Sequence, residues 1–191
     1  MPEFYLASRS PRRSELLRTV GVDFRIVDVN IDETVRDGEI PQDYVLRLAA
    51  AKAAAGQAQV PSGSAVLAAD TCVVIDDQII GKPRDRQDAI AILQRLSGQW
   101  HEVLTGVALA AVTPANVCVT TRVRMRRLTT REIDAYWASG EPVDKAGAYG
   151  IQGLGGALVE RIEGSYSNVV GLPLVETLML LNGARITHRL L

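Results

Sequence analysis

Phe4-Tyr5-Leu6-Ala7-Ser8-Arg9-Ser10-Pro11-Arg12-Arg13-Ser14-Glu15-Leu16-Leu17 passes from an apolar run through a serine-rich turn into a helical pattern. Phe4 to Ala7 suits a strand, Ser8 to Ser10 a turn, and Pro11 the first helical position, where a missing N–H costs nothing. Ser10 is then the expected N-cap. Two arginines in the first helical turn oppose the usual preference for acidic residues beside the positive end of the helix dipole. Orphan amides, the Ser8 hydroxyl and the guanidinium forks of Arg12 and Arg13 together make a cradle for a phosphate chain. The alternative is an exposed basic helix start.

Strand followed directly by helix recurs along the chain. An extended stretch is expected over Asp23 to Val29, then a polar, acidic loop from Asn30 to Gln42 carrying Asp32, Glu33, Asp37 and Glu39. Loops of this kind often carry ligands. A helix from Asp43 to Ala55 puts Val45, Leu48, Ala49 and Lys52 on one stripe, and Gly56 is read as its end. A lysine on an apolar stripe either snorkels to water or faces an anion. Ala65 to Ala69 reads as a strand ending at Asp70-Thr71, Cys72 to Ile75 as resumed extended structure, and Asp76-Asp77-Gln78 as a turn.

Gly81-Lys82-Pro83 leads to a helix over Asp85 to Leu96. Two long strands, Glu102 to Val112 and Val117 to Leu128, should pair around residues 113–116. Thr129 and Glu132 have capping-box spacing. The glycine-rich run from Gly140 to Gly156 interrupts regular structure before a strand over Ala157 to Ile162 and a final apolar helix over Pro173 to Leu181. Alternating strands and helices with one long hairpin predict an α/β (α+β) fold with a mixed, twisted sheet flanked by helices. The 191 residues have room for one domain spanning 1–191, with two lobes around a cleft.

Composition excludes several function classes. A net charge of −1 argues against broad capture of nucleic acid or anionic membrane. Two Phe, two Trp and five Tyr offer few stacking platforms, so no nucleic-acid partner is expected. No apolar run approaches a membrane span and no secretory leader pattern is evident, so a cytoplasmic protein without a membrane partner is expected. Cys72 and Cys118 lack metal-ligand spacing and read as reduced core residues, and His101 and His188 are not read as catalytic bases.

The chemistry-bearing candidates are few. Asp70 at the end of an apolar strand suits either a Mg²⁺ ligand shared with phosphate or a group that deprotonates water; a solvated turn is the alternative. Lys82, held between glycine and proline, suits a point charge on phosphate. In Lys145-Ala146-Gly147-Ala148-Tyr149-Gly150-Ile151-Gln152-Gly153, the glycines allow close approach, and the Gln152 amide can read a base edge or place a water; a flexible lid is the other reading. Neither a dinucleotide fingerprint nor a P-loop fits, because Leu158 stands where the former needs glycine and Pro83 follows Lys82.

Taken in order, Leu6 to Arg13, Ala69-Asp70-Thr71, Gly81-Lys82-Pro83, Thr105-Gly106-Val107, Lys145 to Gly153 and Ser165 to Leu174 closely resemble the Maf family of nucleoside triphosphate pyrophosphatases, across nearly the whole chain. The resemblance implies a mixed-sheet α/β fold with a deep cleft between lobes, related to the inosine triphosphatase-like house-cleaning enzymes. It also implies water attack at the α-phosphorus, giving a nucleoside monophosphate and pyrophosphate with a divalent metal, Mg²⁺ or Mn²⁺. Ala69-Asp70-Thr71 and the Lys145–Gly153 segment look like the branch acting on dTTP, UTP and modified pyrimidine triphosphates, with departures at Arg9 and Cys72. The family pattern maps substrate contacts onto Ser8, Arg12, Arg13, Thr71 and Gln152. It maps the catalytic set onto Asp70, Glu33, Lys52 and Lys82, with Asp70 and Glu33 also the metal ligands. A homodimer is compatible with the family and with the apolar last helix. Several charge-assisted contacts of about 1.5–3 kcal/mol each would give micromolar triphosphate binding without any base contact. A nucleotide-binding regulator of septum formation without turnover is the second reading.

Overall fold

A computed structural model describes residues 3–190. Its strands are β1 (Phe4–Leu6), β2 (Arg25–Ile26), β3 (Ala65–Ile75), β4 (Gln78–Ile80), β5 (Trp100–Ala110), β6 (Ala115–Met125) and β7 (Val159–Glu163). The helices are α1 (Pro11–Thr19), α2 (Pro41–Gln57), α3 (Arg86–Leu96), α4 (Thr130–Ala138), α5 (Tyr166–Val170) and α6 (Leu174–Gly183). The strands form a seven-stranded sheet in the order β2-β1-β3-β5-β6-β7, with β4 also paired to β3. β1 runs parallel to β2 and β3, whereas β3–β4 and β6–β7 are antiparallel. This is the mixed α/β sheet expected from the alternation of elements.

The chain divides into two compact units. The first comprises residues 1–70, 105–119 and 171–191, and the second residues 71–104 and 120–170. In the first, alternation along β3 sends Leu67 and Ala69 into a core with Phe4, Leu6, Leu17, Leu109, Leu172 and Leu181. Val66 and Ala68 face the other way, into a small-residue core with Ala7, Ala49, Ala53 and Ala108. In the second, Val73, Ile75, Leu93, Leu96, Val103, Met125, Ile133, Tyr136 and Tyr149 form the core.

Several expected boundaries move. α1 begins at Pro11, and Ser10 holds the cap position, but its side chain makes no capping bond; its amide instead donates to Ser8 Oγ at 3.2 Å. The strand expected over Asp23 to Val29 shrinks to Arg25–Ile26, which pairs with β1. α2 starts at Pro41 and runs through Gly56 rather than ending there. Gly56 is a packing glycine: a Cβ there would lie 2.9 Å from Val66 Cγ1 and 3.1 Å from Ala7 Cβ.

β3 is continuous for 11 residues, so Asp70 and Thr71 lie inside a strand and not at its end. Flanking backbone pairing overrides the local turn propensity of Asp-Thr. Asp76 and Asp77, at φ 51° and 59°, make the two-residue turn into β4, whose first residue, Gln78, is expected in the turn and whose Ile79 and Ile80 carry no sequence-based assignment. β5 and β6 each lie about two residues earlier than expected. The capping box at Thr129 and Glu132 is formed with both of its bonds. From Glu141 to Leu158 the glycine-rich run folds into short 3₁₀ turns. Cys72 and Cys118 are free thiols, and among the described residues no helix is long and apolar enough to cross a membrane.

Candidate active site

The first unit gathers six of the anticipated residues. Asp70 has the same strand parity as Val66 and Ala68, which places its side chain on the face packed by Ala49 and Ala53 of α2. Lys52 lies on that same helix. Its Nζ donates to Asp70 Oδ1 at 2.6 Å and sits 2.6 Å from Glu33 Oε1. The Lys52 side chain is only 13% exposed and that of Asp70 only 11%. The snorkelling reading of Lys52 and the solvated-turn reading of Asp70 therefore both fail. A buried ammonium is retained here because two carboxylates compensate its charge.

Glu33 reaches this point from the acidic loop, and α2 itself holds that loop in place. Arg47 grips Glu39 with both arms of its guanidinium, at 2.5 and 2.7 Å, and donates to the Thr34 carbonyl at 3.1 Å. The Tyr44 hydroxyl donates to the Glu33 carbonyl at 3.1 Å. Asp32 Oδ1 accepts from the Thr34 amide and hydroxyl, a local Asx turn. The Arg47 pairing holds the Glu39 carboxyl at about 2, far below its ordinary value. Arg47 and Tyr44 thus hold the segment that carries Glu33. Their only sequence signal is a cation and an aromatic three residues apart on a helix that follows an acidic loop.

The opening turn completes this cluster. Ser8 is buried, and Arg13 Nη1 donates to its Oγ at 3.4 Å while Arg13 Nε donates to the Gly171 carbonyl at 2.8 Å. Burial weakens the hold of Arg13 on its proton; Asp70 and Glu33 strengthen it, and Arg12 opposes it. Asp70, Glu33 and Arg12 are thus the charges that bear on this guanidinium. Arg12 is half-buried beside it on the first turn of α1. Arg9 turns away to an exposed ion pair with Asp28.

α2 sits close against the sheet because Gly106 has no side chain. A Cβ at Gly106 would stand 2.5 Å from the Val45 carbonyl oxygen and 2.6 Å from its carbon. The glycine of Thr105-Gly106-Val107 thereby sets the height of the helix that carries Lys52.

Thr71, Lys82 and Gln152 belong to the second unit. Thr71 is half-buried, Lys82 exposed and Gln152 half-buried. Within this unit, the Lys82 loop and the Gln152 segment are joined where the Gly147 amide donates to the Gly81 carbonyl at 3.0 Å. Gly147 takes φ +70°, and a Cβ there would press within 2.8 Å of Val73. Tyr149 anchors the segment from below, its hydroxyl 2.7 Å from His101 Nε2 with the rings edge to face. Burial pushes the His101 pKa down to about 4 and raises that of Tyr149, so the pair is neutral. His188 Nε2 lies 2.7 Å from Asn182 Oδ1. A further network was not legible in the sequence: Glu141 accepts from the Tyr136 hydroxyl and from the Leu154 and Gly155 amides, and Tyr136 accepts from the Gly150 amide.

A family model described as Maf-like protein matches residues 3–184. The chain belongs to the Maf-like protein family. It is 55% identical over 183 residues to a dTTP/UTP pyrophosphatase of Methylobacillus flagellatus, covering 95% of this chain and 92% of that protein. It is 56% identical over 182 residues to a dTTP/UTP pyrophosphatase of Hahella chejuensis (92% and 89% covered). It is 52% identical over 183 residues to one of Escherichia coli O157:H7 (95% and 93% covered). Among solved structures it is similar to a Ham1 protein of Staphylococcus aureus, at TM-score 0.45 and 12% identity, over 64% of this chain and 71% of that one. A HAM1 protein of Coxiella burnetii aligns at TM-score 0.44 and 19% identity, over 67% and 75%.

Proposed function

We propose that this Maf-like protein is a nucleoside triphosphate pyrophosphatase that converts dTTP, UTP and modified pyrimidine triphosphates to the monophosphate and pyrophosphate, clearing unwanted nucleotides from the pool. The observation that carries it is the Glu33–Lys52–Asp70 cluster beside Ser8 and Arg13, in a chain more than half identical to dTTP/UTP pyrophosphatases. A site meant only to hold an anion would gain nothing from two carboxylates turned toward its cation.

In this reading Ser8, Arg12, Arg13 and Lys82 bind the phosphate chain, and Thr71 and Gln152 contact the nucleotide. Water attacks the α-phosphorus. A P–O bond forms to the water oxygen, the bond from the α-phosphorus to the bridging oxygen breaks, and pyrophosphate leaves with the electron pair. Asp70 takes the proton from water, and Glu33 helps orient the attacking group. Lys52 holds the two carboxylates at a common point and offsets negative charge as it builds up in the transition state.

Among the described residues no three His, Cys, Asp or Glu side chains form a protein-only metal cage. Two carboxylates converging on one cation do suit Mg²⁺ or Mn²⁺, which such sites share with substrate phosphates. Asp70 and Glu33 would hold the ion, which when bound supplies charge neutralisation at the phosphate oxygens.

Incubation with dTTP or UTP and Mg²⁺ or Mn²⁺ should release pyrophosphate and the nucleoside monophosphate in equal amounts. Asp70→Asn should abolish most turnover and leave the thermal transition in place. Unchanged turnover in that variant would overturn the role given to Asp70, and tight binding without cleavage in the unaltered protein would favour a regulatory binding protein instead.

A further inference from the structure

The segment that carries Gln152 is poor at holding a shape by itself. Gly150, Gly153, Gly155 and Gly156 lie within seven residues, and a chain of that composition loses much backbone entropy on ordering. Four bonds meet around Gln152 and centre on two side chains. Glu141 Oε1 accepts from the Tyr136 hydroxyl at 2.7 Å and from the Gly155 amide at 3.0 Å, while Oε2 accepts from the Leu154 amide at 3.0 Å. The Tyr136 hydroxyl in turn accepts from the Gly150 amide at 3.1 Å. The clamped amides thus lie two residues before Gln152 and two and three residues after it. Tyr136 is buried on α4, whose start is fixed by its capping box. At Gly155 a Cβ would fall 2.2 Å from the Gly150 carbonyl oxygen and 2.5 Å from the Tyr136 hydroxyl, so the turn closes directly onto that hydroxyl. Lys145 Nζ donates to the Glu141 carbonyl at 2.8 Å and holds the carboxylate's own backbone.

We propose that Glu141 and Tyr136 are positioning residues for Gln152, gripping both flanks of its turn so that the Gln152 amide is presented to the nucleotide in one orientation. This rests on the reading above that Gln152 contacts substrate. A carboxylate suits the task because its two oxygens can accept from two amides and a hydroxyl at once, and charge-assisted bonds are the stronger kind. Glu141→Gln keeps the shape but exchanges one accepting oxygen for a donor. Tyr136→Phe keeps the ring and removes both hydroxyl bonds.

The test is kinetic and structural together, on the full chain with dTTP. Gln152→Ala is the reference. Glu141→Ala should change kcat and KM in the same proportion as Gln152→Ala does, with a loss of about tenfold in kcat/KM, and Glu141→Gln and Tyr136→Phe should fall between it and the unaltered protein. The double variant Glu141→Ala/Gln152→Ala should be no slower than Gln152→Ala alone, since a positioning residue has nothing left to position. Hydrogen exchange of the residue 150–155 amides should speed up in all three clamp variants while protection in β3 and β5 is kept. If Glu141→Ala does not fold, the Gln and Phe variants decide the question. Losses that multiply in the double variant, or unaltered exchange at residues 150–155, would overturn the positioning role. Unaltered kinetics in Gln152→Ala, with exchange faster in the clamp variants, would instead overturn the substrate role of Gln152.

Discussion

Lys52 Nζ lies 2.6 Å from Asp70 Oδ1, joining a helix and a strand whose apolar neighbours would otherwise bury two uncompensated charges. The ion pair sits against a small-residue layer that includes Ala49, Ala53 and Ala68. Removing Lys52 should leave the Asp70 and Glu33 carboxylates without their shared cation. Lys52→Met is expected to lower kcat/KM for dTTP by about 100-fold or more, as loss of a charge-stabilising donor does. A pyrophosphate-release assay checks it, and a loss under threefold would count against a catalytic position for Lys52.

Arg47 controls the same site from a distance. Arg47→Ala releases Glu39 and the Thr34 carbonyl, so the loop carrying Glu33 should loosen. We expect faster hydrogen exchange over residues 31–40 and a several-fold fall in kcat/KM, with the exchange of β3 unchanged. Protection that stays at the unaltered level in that loop would refute the pinning role.

Gly106 sets the spacing between α2 and the sheet. In Gly106→Ala the added methyl meets the Val45 carbonyl, so the helix must shift or strain. Such overpacking costs about 1–3 kcal/mol, and the displaced Lys52 should also lower turnover. Thermal or denaturant unfolding alongside the kinetic assay measures both effects; a variant as stable and active as the original would contradict this account.

Stability should depend on pH through His101. Burial holds its pKa at about 4, against an ordinary value of 6.5, so the unfolded chain binds the proton more readily than the folded one. The contribution is fully present above about pH 6.5 and is lost as pH falls toward 4. Linkage puts His101's share at about 2 kcal/mol between pH 7 and pH 5. His101→Gln keeps a polar partner for the Tyr149 hydroxyl, removes the titrating ring and should flatten that slope. Denaturant titrations at the two pH values decide it, an equally steep slope in the variant being the adverse result.

Much of this molecule is written locally. The strand–turn–helix at Phe4 to Thr19, the capping box at Thr129 and Glu132, and the hairpin linking β5 and β6 follow from nearest-neighbour preferences, and so were readable. The polar residues that gather in the first unit, Ser8, Arg12, Arg13, Glu33, Lys52 and Asp70, had also been singled out by residue type. Two of the misplaced boundaries share one cause. Asp70-Thr71 and Gly56 look like interruptions because Asp and Gly disfavour regular structure on their own, yet strand pairing and close packing against Val66 and Ala7 carry β3 and α2 straight through them.

Fold class, the basic and acidic inventory and the order of the motifs were determined by the sequence alone, because periodicity and turn chemistry act over a few residues. Only tertiary structure decided that Lys52 serves Glu33 and Asp70 together, that Arg47 holds the loop bearing Glu33, and that Tyr136 and Glu141 grip the turn around Gln152. Those are pairings between side chains and amides from separate elements, and their partners are chosen by burial, which leaves a polar group to bond with whatever the fold brings beside it.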